Sequence, residues 1–73
     1  MDLNIRQAIF HNIKENTEDE LEATIKDAIQ DGQEKLLPGL GYLFELIWNE
    51  SDSANQDDMI ITLKKALEQS PTT

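Results

Sequence analysis

The chain has 73 residues, with fifteen Asp and Glu against six Lys and Arg, no Cys, and a formal net charge of −9. A single domain of this size buries only about 60% of the surface its unfolded form exposes, so its core should yield ~3–5 kcal/mol net. The lack of cysteine excludes a disulfide staple and a thiolate metal site, and the acidity argues against a nucleic acid or an anionic membrane surface as a direct partner.

No apolar run approaches the ~20 residues of a membrane span. The start has no basic region followed by an apolar run, so no signal peptide is read there. The expectation is a protein that stays in the cytoplasmic compartment where it is made.

A first helix is predicted from near Leu3 to Glu15, capped by Asp2 or by Asn4, which stands three residues before Gln7 as in a capping box. Ile5, Ala8, Ile9 and Ile13 form its apolar stripe, widened by Leu3 and Phe10, and Asn16 stops it. A second helix starts at Thr17. Glu20 is the third residue in, and Glu18, Asp19 and Glu20 load its first turn with acids that suit the helix dipole. Leu21, Ile25, Ala28 and Ile29 recur along one face, and Gly32 takes the left-handed C-cap position. Gln33 to Leu37 is short, with room for one helical turn before Pro38.

Pro38 and Gly39 are read as a turn. A third helix follows from about Leu40 to Asn49, and from Leu36 to Trp48 the chain is almost wholly apolar. A helix hydrophobic nearly all round belongs in the middle of a fold. Gly39 and Gly41 either supply a positive φ or let another helix approach bare backbone. After a polar stretch, Ser53 with Gln56 reads as a capping box for a last helix. Its stripe is Ile60, Leu63, Ala66 and Leu67, with Met59 and Ile61 on the margins and Lys64 and Lys65 in the final turns. Pro71 cannot continue it.

The pattern specifies an all-α fold: a small bundle of about four short helices around a central apolar helix. Residues 1–69 make a single helical domain, and 70–73 a frayed tail. Leu40, Leu43, Phe44 and Ile47 of the third helix are the expected core, with Leu21, Ile25, Ile29 and Leu63 packed on them.

Chemistry is sparse. His11 stands alone, with no second His or Cys, and reads as a surface or boundary residue. The acids at Glu18, Asp19 and Glu20, and at Asp57 and Asp58, are explained as acids near helix starts, the latter two within the first two turns of the last helix; a calcium loop would need alternating oxygens and a glycine. Gly39-Leu40-Gly41 lacks the further Gly and Lys of a phosphate loop. No catalytic residue, cofactor or metal is expected. Tyr42 and Trp48 lie on different faces of one helix. They are either core or, if the neighbours cover that helix only partly, an aromatic patch that would close a homodimer.

With these residues in view, the sequence resembles the small acid-soluble spore protein I family of Bacillus and its relatives. The opening Met1-Asp2-Leu3-Asn4, with Arg6 and Ala8, carries the likeness. So do Thr24-Ile25, Asp27-Ala28-Ile29, Gly32, Glu34 and Lys35. The most specific block is Leu37-Pro38-Gly39-Leu40-Gly41, Leu43-Phe44-Glu45 and Ile47-Trp48; Met59 and Thr62-Leu63 match more loosely, and Glu50 to Asp58 add nothing. The resemblance implies a minor, non-enzymatic protein of the spore core, made in the forespore during sporulation and needing no cofactor. It does not imply the function of the DNA-coating spore proteins that share the name. Two other roles stay open: a nucleoid-associated protein, if Arg6, Lys14, Lys26 and Lys35 converge into a basic face, and an amino-acid reserve digested at germination.

Overall fold

The computed structural model describes residues 3–69. They form four α-helices, α1 Leu3–Ile13, α2 Glu18–Asp31, α3 Leu37–Glu50 and α4 Ser53–Gln69, with a single 3₁₀ turn at Glu34–Leu36. The fold is all-α, as the periodicities require.

The start of α2 is built as its sequence dictates. The Thr17 hydroxyl accepts from the Glu20 amide at 3.2 Å, and the Glu20 carboxylate accepts from the Thr17 amide at 2.8 Å. Two orphan donors are thereby satisfied reciprocally. At the other end Gly32 adopts φ 73°, and its amide returns to the Ala28 carbonyl. A side chain at that φ would cost roughly 1–2 kcal/mol.

Other boundaries differ from the sequence reading. Asn4 lies one residue inside α1, so it is not at the cap position; Asp2 and the tail 70–73 lie outside the described residues. The first helix closes at Ile13, where the Asn16 amide bonds the Ile13 carbonyl in a tight turn. The cap of α4 is Asp52, not Ser53: its carboxylate accepts from the Asn55 amide at 2.8 Å. Carboxylate and hydroxyl compete for this role, and the carboxylate one residue earlier wins.

The third helix begins at Leu37, three residues before the expected start. Pro38 does not break it, because a proline in the first helical turn has no amide to satisfy and its fixed φ already suits the helix. Gly39 and Gly41 are both helical, and Gly32 is the one positive-φ residue among those described. Close packing is therefore the correct reading for Gly39, whose missing Cβ would stand 3.9 Å from Ile9 Cδ1. A Cβ at Gly41 would meet nothing within 4 Å.

The core is thin. Tyr42, at 8% exposure, is the one buried hydrophobic residue among those described. Around it α1, α2 and α3 meet through half-buried Ile9, Ile13, Leu21, Ile25, Ala28, Leu40, Leu43 and Leu46. The expected enclosure of the apolar helix by the other three is not what the chain builds. Phe44 is 48% and Ile47 47% exposed, and Ile29 and Leu63, also expected inside, are exposed as well. Leu40, Leu43, Leu21 and Ile25 are in the cluster but only half-buried. The reason is geometric. Helices pack at 8–10 Å between axes, so roughly six neighbours are needed to surround one rod; this chain supplies three.

Candidate interaction surface

Two polar contacts set how the helices sit on α3. On one side, the Arg6 guanidinium of α1 pairs with the Glu45 carboxylate of α3. It also lies 6.0 Å from the centroid of the Tyr42 ring, a cation over a negative aromatic face. Arg6 thus covers the buried tyrosine and neutralises the acid that interrupts the apolar run. On the other side, the Gln56 amide of α4 donates to the Trp48 carbonyl at 2.8 Å. The Ser51 amide reaches the same carbonyl at 3.2 Å, so the end of α3 and the start of α4 share one acceptor.

Of the two readings open for the aromatic residues, Tyr42 takes the core one. Tyr42 faces α1 and is buried, so it is no part of an exposed patch in the monomer. Trp48 is half-buried and stacks obliquely on Phe44, with ring centroids 5.9 Å apart. The pair that reaches the surface is Phe44 with half-buried Trp48. Phe44 also forms one wall of an open groove against Met59, Thr62, Leu63 and Ala66 of α4.

Beyond this groove the apolar surface continues. Of the seventeen residues of α4 only Gln56 and Met59 are even half-buried. Ile60 is 50%, Leu63 53% and Leu67 66% exposed. The stripe read from the sequence has two edges: Met59 and Ala66 border α3, Ile60 and Leu67 face away from it, and Leu63, on the rim of the groove, lies between the two. Periodicity identified the stripe but not its division. The signal that could have exposed it is the opposite charge of Asp57 and Lys64, seven residues apart beside Ile60, which marks a flank in water.

The remaining polar groups are ordinary surface. His11 is exposed, edge-on to Phe10 at 5.9 Å. Lys26 pairs with Glu22 at 2.8 Å and Lys64 with Glu68 at 3.8 Å, each one helical turn apart and well exposed. Among the described residues no three of His, Cys, Asp and Glu are grouped to hold a metal ion, and no helix is long and apolar enough to cross a membrane.

Residues 3–67 match the family model for small, acid-soluble spore protein I. The chain belongs to that family. Its span runs from the first residue of α1 almost to the end of α4, so the helices described above are the family's domain. The small, acid-soluble spore protein I of Geobacillus kaustophilus (strain HTA426) is 55% identical over 69 residues, covering 94% of this chain and 100% of the relative. That of Geobacillus sp. (strain WCH70) is 54% identical over 94% of this chain and 97% of its own. The Bacillus licheniformis protein of the same name is 51% identical over 92% and 96%. No solved structure matches. The block that most specifically carried the spore protein I likeness in the sequence, Leu37 to Trp48, falls wholly within α3.

Proposed function

We propose that this chain is a non-enzymatic spore-core protein, made in the forespore during sporulation, that acts by packing against other polypeptide. The observation that carries the second half is the exposed apolar surface. Among the described residues ten large hydrophobic side chains, from Ile5 to Leu67, are exposed, in a chain whose charge of −9 would otherwise keep it apart from its neighbours. Scattered apolar residues are normal on a surface, whereas contiguous ones mark an interface. Here Phe44, Leu63, Ile60 and Leu67 are contiguous. The relatives' name as spore proteins supports a place in the forespore cytoplasm.

A DNA-binding role draws less support. Two of the four cations it needs, Arg6 and Lys26, already pair with carboxylates. The test is fractionation of purified spores carrying a tagged chain, with a gel shift at low salt in parallel. The proposal expects the chain in the core fraction, co-purifying with protein, and no retarded DNA. A chain confined to the mother cell, or a DNA complex that dissolves as salt rises, would overturn it.

A further inference from the structure

We infer that the open edge of α4 is an interface for a second copy of this chain, formed by two α4 helices packed antiparallel about a two-fold axis. The inference deepens the packing role proposed above and names its occupant.

The first observation is surface. A folded monomer of 8.3 kDa exposes about 4,600 Å² by the usual scaling with mass; this chain exposes 6195 Å². Setting residues 1, 2 and 70–73 aside at full extended-chain area still leaves an excess of about 1,000 Å², near the ~800 Å² that each partner gives a standard interface. The radius of gyration agrees, at 13.6 Å against about 11 Å for a compact domain of this length. The excess area is that of one missing partner of ordinary interface size.

The second observation is register. Ile60, Leu63 and Leu67 follow the three- and four-residue spacing of a two-helix seam. In an antiparallel pair with a two-fold axis, Ile60 of one helix lies level with Leu63 of the other. That single register fixes what meets on the flank. Asp57 and Lys64 occupy the same heptad position, beside Ile60, and in an antiparallel pair this position faces its own equivalent. Asp57 of each copy therefore stands opposite Lys64 of the other, twice per dimer. The acidic first half of each helix lies along the basic second half of its partner, and the two helix dipoles oppose. The other edge of the stripe, Met59 and Ala66, stays on α3 with Phe44. A parallel pair would instead set this position across from the positions of Asp52 and Met59 and lose this complementarity, so the charges choose the direction.

The experiment is sedimentation equilibrium of the full chain up to high micromolar concentration, with circular dichroism to verify that each variant folds. A dimer is expected. Ile60→Glu, at a site already half in water, should abolish it with the helix signal unchanged. Asp57→Lys alone and Lys64→Glu alone each turn two attractive pairs repulsive and should weaken association about tenfold or more. Asp57→Lys combined with Lys64→Glu restores opposite charges and should restore the affinity. A chain that stays monomeric overturns the inference, leaves the edge to a different polypeptide, and leaves spore-core residence to its own fractionation test. A dimer indifferent to Ile60→Glu, or one in which the charge swap fails to rescue the single variants, overturns it equally.

Discussion

Arg6 is the residue whose removal should tell most about what holds this domain together. It carries one half of the α1–α3 ion pair and covers the Tyr42 ring. The side chains of Arg6 and Glu45 are 34% and 38% exposed, so water weakens the pair, and about 0.5–1 kcal/mol is its share. The cation over the ring adds about 0.5–1 kcal/mol at such a half-open site, and the buried stem of the arginine contributes packing besides. Arg6→Ala should therefore cost about 1–2.5 kcal/mol, a third to a half of what a core of this size supplies. In melting temperature that is a fall of roughly 5–15 °C. The assay is urea unfolding followed by circular dichroism and Trp48 fluorescence, at a concentration low enough that self-association adds nothing. Glu45→Gln is the control, since it removes the charge partner and leaves the ring covered; it should cost about 0.5–1 kcal/mol. Equal losses in the two variants would show that the ring contact contributes nothing, and a loss below ~0.5 kcal/mol for Arg6→Ala would show that α1 is held by its isoleucines alone.

Tyr42→Ala should cost about 3–5 kcal/mol, the usual penalty for truncating a buried aromatic, and leave the chain largely unfolded by circular dichroism at room temperature; a folded variant would mean that the core lies elsewhere. Thr17→Ala removes one arm of the capping box and should lower stability by about 1 kcal/mol in urea titration, with the loss confined to α2 in amide exchange. The glycines should separate cleanly in thermal melts: Gly32→Ala destabilises by about 1 kcal/mol or more because its φ is 73°, whereas Gly41→Ala, helical and facing open space, stabilises by about 0.5–1 kcal/mol.

What the sequence disclosed and what it withheld divide along one physical line. Thr17, Glu20 and Gly32 work through groups three or four residues away, so local chemistry determined both ends of α2. The cap of α4 was misplaced by one residue because Asp52 and Ser53 can both accept from the first turn, and only the backbone geometry decides between them. Pro38 permits a turn or a helix start equally well, so its residue type alone does not decide between them. Gly39 is ambiguous for the same reason, and what settles its role is Ile9 of a distant helix beside it.

The larger difference concerns Phe44 and Ile47. Hydrophobicity all round a helix states what that helix would gain by burial, not whether the chain owns enough material to bury it. With α1 and α2 on one side and α4 touching through Gln56 and Met59, one face of α3 and one edge of α4 go unsatisfied together. The same shortage hid the interaction surface: periodicity assigned Ile60, Leu63 and Leu67 to a stripe and assumed a stripe points inward. An acidic chain that leaves adjacent apolar faces uncovered on two helices has its folding and its association coupled. Any partner that covers Ile60 and Leu67 also steadies α4 against Phe44 and Trp48, so stability should rise with the concentration of that partner.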